Sequence, residues 1–216
     1  MRIVSFWIIL ILILVNVGCS NYIKLDKSES YATTKLATNQ IVCIDPRFYF
    51  IGNKESIDLE KYTKYNDLLQ KSATSFGRKN KFDIKLMTLD ENASNNYYED
   101  LLRLKQDMLT VNFTQRTPFN FDSAPQHGVI QKKVFVYPPL IPYEYCGLAD
   151  KYGTRYFSYL GMYAEKRKLF LYHVVVDVEN AETIYREMKV IYGKPNNTIV
   201  TQMIYDSYAM MKNELL

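Results

Sequence analysis

Tyr156-Phe-Ser-Tyr-Leu-Gly-Met-Tyr163, Leu169-Phe-Leu-Tyr-His-Val-Val-Val-Asp-Val178 and Thr183-Ile-Tyr-Arg-Glu-Met-Lys-Val-Ile-Tyr192 are three runs dominated by aromatic and aliphatic residues. Such side chains suit a pleated, buried surface. The charged turn Glu165 to Lys168 and the turn Glu179 to Ala181 join them closely, so they predict successive antiparallel strands. Ile184, Met188 and Val190 are the expected core positions of the third strand. Beyond Pro195 and Asn196 a helix is predicted from about Thr198, with Val200, Ile204, Tyr208 and Met211 spaced to face the core. Before the first strand, Leu148 to Tyr152 reads as the last turns of a short helix stopped by Gly153.

Working back toward the N-terminus, Ile41 to Ile44 and Phe48 to Ile51 read as one strand or two short ones around Asp45 and Pro46, and Gly52 to Glu60 as a turn. Tyr65, Leu68, Leu69, Ser72 and Phe76 share a helical face within Tyr62 to Phe76, with Gly77 as the expected C-terminal stop. Phe82 to Leu89 alternates like a further strand. Tyr98, Leu101, Leu102, Lys105, Met108 and Leu109 trace a second helix face. The stretch from Thr110 to Tyr145 is cut by five prolines into short alternations and predicts an irregular insertion. The expected fold class is therefore α+β, or layered α/β. A mixed or antiparallel sheet packs with about three helices in one domain over residues 40–216.

The chain has 216 residues, 48% of them hydrophobic, enough for one good core. Its 27 basic and 23 acidic side chains give +4. Without residues 1–18, which carry only Arg2, 26 basic against 23 acidic leave +3. So small a charge argues against a nucleic-acid partner.

Residues 1–18 set the expected compartment. Met1 and Arg2 precede an apolar run from Ile3 to Val15, too short for a membrane-spanning helix, which needs about 20 residues, but of the length of a signal-peptide core. Val17, Gly18 and Cys19 then resemble a lipobox, although Asn16 stands where that family usually has Leu. The resemblance implies cleavage before Cys19 by signal peptidase II and attachment of diacylglycerol to its sulfur. The other readings are an ordinary cleaved signal peptide and a short uncleaved anchor. Two or more acyl chains suffice for stable attachment, so residues 19–39, polar and without helical period, are expected to tether the domain to a membrane. Ser20 stands where an inner-membrane retention signal would place Asp. The expected location is accordingly the outer membrane, with the domain facing the periplasm.

In that oxidising compartment Cys43 and Cys146 can form a disulfide closing a loop of about a hundred residues, or can be two separately buried thiols. The sequence leaves both open.

Two stretches resemble the periplasmic fold shared by the curli-secretion lipoprotein and the N-terminal domain of the TolB translocation protein. Leu148-Ala-Asp-Lys-Tyr-Gly-Thr-Arg-Tyr-Phe157 is similar to that family's helix end, glycine and strand. Val174-Val-Val-Asp-Val-Glu-Asn-Ala-Glu-Thr-Ile-Tyr185 is similar to its strand, turn and strand. Ala181 occupies the family's glycine position, with Asn180 the candidate for the left-handed turn residue. The resemblance implies a lipid-anchored scaffold or assembly domain with a periplasmic or outer-membrane protein partner.

Candidate sites are sparse. His127 and His173 are the only histidines, and no spacing of Cys, His or carboxylates suggests zinc, a hydrolase triad, a phosphate loop or a dinucleotide site. The sequence thus nominates no catalytic residue, no metal ligand and no cofactor. Asp177, Glu179 and Glu182 cluster at one turn and Lys166, Arg167 and Lys168 at another, as solvated turn charges or as a docking patch. Phe119, Phe121, Tyr137, Tyr143 and Tyr145 are the candidate partner contacts, since so irregular a segment need not bury them all. The leading expectation is a non-enzymatic binding or assembly module. An oligomeric secretion-channel subunit and an envelope enzyme stand behind it.

Overall fold

The computed structural model describes residues 35–51, 59–89, 97–110, 145–165 and 167–216. The signal segment, Cys19, the first part of the tether, His127 and the candidate contacts Phe119, Phe121, Tyr137 and Tyr143 lie outside the described residues.

Six strands form one open mixed sheet: β1 (Gln40–Ile44), β2 (Arg47–Ile51), β3 (Asp83–Met87), β4 (Tyr156–Glu165), β5 (Lys168–Asp177) and β6 (Glu182–Tyr192). Their order is β3-β1-β4-β5-β6, with β2 also beside β4. β4, β5 and β6 are the antiparallel meander that their sequence predicts. β1 runs parallel to both β3 and β4, and β2 continues parallel along β4. The break between β1 and β2 falls at Asp45, whose φ of 43° turns the chain before Pro46.

Among the described residues four helices cover the sheet: α1 (Leu59–Lys79), α2 (Tyr98–Thr110), α3 (Cys146–Tyr152) and α4 (Asn197–Leu215). α1 and α4 pack on one face, where Tyr65, Leu69 and Ala73 meet Val200, Ile204, Tyr208 and Met211 over Cys43, Leu160 and Val175. α2 and α3 cover the other face, where Leu101, Leu104, Met108 and Leu148 lie over Val42, Tyr159 and Val174. Burial on both faces is why β4 and β5 read as near-continuous apolar runs instead of alternating ones. The α+β class, the mixed sheet and the single domain agree with the expectation.

Several local readings are corrected. Gly77 does not end α1 but sits two residues inside it, because a Cβ there would stand 2.2 Å from Ile84 Cγ1 on β3. Lys81, with φ of 70°, is the left-handed residue beyond the helix. At the β5–β6 turn Ala181 itself takes φ of 52°, so Asn180 does not substitute for the missing glycine. Ile184 joins the α1/α4 side while Met188 and Val190 join the other, because a register shift at Val175/Val176 separates them. The end of the expected tether is docked: Leu36 N donates to Leu215 O at 3.1 Å and Ala37 N to the Tyr156 hydroxyl at 3.0 Å. Among the described residues no helix is long and apolar enough to cross a membrane.

Candidate functional site

Three groups of polar side chains stand out, two in the interior and one on the surface. The first lies between β5, β6 and α4. His173 points from β5 to the α4 side and is wholly buried. Its Nδ1 is 2.9 Å from Ser207 Oγ, and Ser207 donates its own hydroxyl proton to Glu187 Oε2 at 2.6 Å. Since that proton goes to the carboxylate, Ser207 accepts from His173, which fixes the Nδ1–H tautomer. Tyr185 also donates to Glu187 Oε2, at 2.8 Å, and Lys189 Nζ pairs with Oε1 at 2.9 Å. Burial pushes the His173 pKa down to about 4, opposed by the Glu187 charge and assisted by Lys189. For Glu187 burial acts upward, but the Lys189 ammonium and the hydroxyls of Ser207 and Tyr185 outweigh it, and the carboxyl is held below its usual value. Serine, histidine and glutamate are therefore gathered, yet in an order that leaves the serine proton on the carboxylate and not on an imidazole base. A hydrolase needs the reverse. The cluster is a buried polar joint between strand and helix, with His173 Nε2 left without a partner among the described residues.

The second group sits where β1 gives way to β2. Asp45 is buried, with Lys105 Nζ at 2.6 Å from Oδ2 and Arg47 Nε at 2.9 Å from Oδ1. Lys105 comes from the apolar stripe of α2 and lies 5.3 Å from the Tyr159 ring centroid. Around it Tyr159 and Tyr163 share a hydroxyl contact of 2.9 Å over Gly161, and Tyr49 stacks on Tyr163. Burial raises both Tyr159 and Tyr163 well above the ordinary phenol value, so they stay protonated donors. A cation on a core-facing helix stripe is the one signal in the sequence that points to this joint.

The candidate contact Tyr145 is corrected by the structure. It is 1% exposed and donates to Asp107 Oδ2, fastening the start of α3 to α2, so it offers no surface to a partner. Cys43 is a free thiol in the middle of the sheet, and burial pushes its pKa up to about 12. Cys146, the other member of the pair considered above, opens α3, and its side chain lies outside the described residues. Asp177 is no solvated turn charge. It is buried, accepts from Arg155 Nε at 2.8 Å and from the backbone of Glu179 at 3.1 Å, and so caps its own turn.

The surface group is a shallow depression of about 650 Å³ along the outer side of α1, lined by Gln70, Lys71, Ser75, Arg78 and Lys79 and closed by Leu86 of the edge strand β3. At the opposite edge of the sheet, Tyr192 is 49% exposed with Lys168 Nζ 5.6 Å from its ring centroid, and Arg167 and Lys194 are exposed nearby in the chain. Among the described residues no three His, Cys, Asp or Glu side chains are placed to hold a metal ion.

Fold and site together define a three-layer α+β domain in which, among the described residues, His173, Ser207 and Cys43 are internal. No family model matches the chain, and no curated protein matches it. Solved structures with a similar arrangement include the PelC dodecamer from Paraburkholderia phytofirmans, 8% identical, covering 91% of this chain and 99% of that one, with a TM-score of 0.44. Lipoprotein GNA1162 from Neisseria meningitidis is 11% identical over 83% of this chain and all of that one, with a TM-score of 0.36. The LpoB C-terminal domain from Salmonella enterica is 12% identical over 73% and 85%, with a TM-score of 0.32. At this level of similarity no property of those proteins passes to this chain.

Proposed function

We propose that this chain is a lipid-anchored envelope lipoprotein whose α+β domain acts as a non-enzymatic binding or assembly module. Residues 1–18 direct export, Cys19 carries the lipid, and the domain faces the periplasm from the outer membrane. The observation that carries the non-enzymatic reading is the sealed interior: His173, Ser207 and Cys43 are buried and unexposed, and Ser207 spends its proton on Glu187. What the described surface offers is suited to recognition. The docking of Leu36 beside Leu215 fixes the end of the sheet at which the tether leaves, and the exposed Tyr192 lies a strand length away at the other end. Phe119, Phe121, Tyr137 and Tyr143 remain the proposed aromatic contacts of that partner.

The test is the intact mass of the membrane-extracted chain with and without a signal peptidase II inhibitor. A mature chain beginning at acylated Cys19, shifted by the inhibitor to precursor mass, is the expected result. Cleavage elsewhere, or an unmodified N-terminus, overturns the anchor. Photo-crosslinkers placed in vivo at Phe119, Tyr137 and Tyr192 then test the module: a discrete crosslinked envelope protein is expected, and none at any of the three positions defeats the binding reading.

A further inference from the structure

The basic stripe on α1 ends beside the last tether residue, while the tether itself leaves the fold beside α4 and the start of β4, where Leu36 and Ala37 are held. Asn39 Nδ2 donates to Lys81 O at 3.0 Å, and Asn39 O accepts from Asp83 N at 2.9 Å, so the last tether residue is bonded to the loop that follows α1. Immediately before that loop come Arg78 and Lys79. Lys71, Ser75 and Arg78 are spaced i, i+4 and i+7 and therefore share one helix stripe. Lys71, Arg78, Lys79 and Lys81 are all exposed, and no carboxylate pairs with any of them among the described residues. Gln70 and Ser75 add an amide and a hydroxyl, and the lining of the depression contains no acidic residue. Asp83 on β3 and Asp67, four residues before Lys71 on α1, are the exposed carboxylates nearest in sequence. The acidic Glu179 and Glu182 at the β5–β6 turn lie at the same strand end but across the sheet, with β1 and β4 between β3 and that hairpin.

We propose that this stripe is a membrane-apposition surface: Lys71, Arg78, Lys79 and Lys81 rest on the anionic phospholipid headgroups of the membrane that holds the anchor. The domain then lies with its β3 edge toward the lipid. The inference rests on the lipid-anchored reading above. Sixteen positions separate Cys19 from Lys35, and a chain reaches at most about 3.5 Å per residue. The tether therefore keeps the stripe at high effective concentration near the surface, where individually weak charge attractions suffice. Phosphate oxygens match a row of ammonium and guanidinium donors with amide and hydroxyl neighbours.

The test uses the full acylated chain in vesicles of phosphatidylcholine alone or with one-third phosphatidylglycerol. Lysines are acetylated briefly and read by mass spectrometry. Lys71, Lys79 and Lys81 are expected to label about threefold or more slowly in the anionic vesicles, with Lys168 and Lys194 unchanged. Salt at 0.5 M, which shortens the screening length to about 4 Å, removes the difference. A chain carrying Lys71→Glu and Lys79→Glu, checked for folding by circular dichroism, loses the slowing at Lys81. Equal labelling in both vesicles, slowing at both ends of the molecule alike, or slowing only after other envelope proteins are added overturns the proposal, the last by assigning the stripe to an acidic protein. A chain that does not float with vesicles at all fails the anchoring reading itself.

Discussion

His173 shows how one buried side chain sets an acid limit. Its folded pKa of about 4 lies below the unfolded value of about 6.5, so the unfolded chain binds the extra proton first. The resulting stability is complete above pH 6.5 and is lost as pH falls from there to about 4, a change of about 3 kcal/mol. Glu187, held low, loses its own contribution only at more acid pH, so the two are separable. Urea midpoints measured at pH 7 and pH 4.5 are expected to fall less in His173→Phe than in the parent, and equal falls would refute the assignment. Ala181 carries a second residue-scale cost. Left-handed backbone disfavours any side chain, so Ala181→Gly is expected to stabilise by about 0.5–1 kcal/mol in urea unfolding despite glycine's greater unfolded-state freedom. The Glu187–Lys189 pair tests a third point. Removing the carboxylate alone leaves a buried ammonium, so Glu187→Ala costs about 3–5 kcal/mol, whereas Glu187→Leu with Lys189→Leu recovers most of it.

Among the elements, α1 and β3 are fitted through a glycine. Gly77→Ala would ordinarily strengthen a helix by nearly 1 kcal/mol, but the new methyl would stand 2.2 Å from Ile84 Cγ1. A net loss of about 1–3 kcal/mol is expected, and Ile84→Ala in the same chain should cost less than it does beside Gly77. Helix and strand positions were legible because each pattern was long and regular. α4 exposed its stripe of Val200, Ile204, Tyr208 and Met211, all now buried, and the β4–β5–β6 meander ran within two residues of its expected limits. A glycine at the end of an apolar stripe usually marks a helix stop, and only the approach of β3 gives Gly77 another purpose.

For the molecule as a whole, the thiol of Cys43 offers a gauge of opening. It is wholly buried in a central strand under α4. Alkylation of Cys43 under native conditions is therefore expected to require global or near-global unfolding and to accelerate with urea along the same dependence as the far-ultraviolet transition. Rapid native alkylation at Cys43 would mean that the α4 layer opens by itself.

The sequence by itself determined the class of the fold, the order of its elements, their core faces and, through Val17, Gly18 and Cys19, the expectation of an anchor. These follow from local periodicity and composition, which a linear reading can measure. Tertiary structure alone decided that β1 lies parallel between β3 and β4, that Ser207 meets His173 and Glu187, that Lys105 meets Asp45, and that Tyr145 is interior. Each of these joins residues distant in the chain whose partners are chosen by sheet order and helix packing, and no spacing along the sequence encodes that choice.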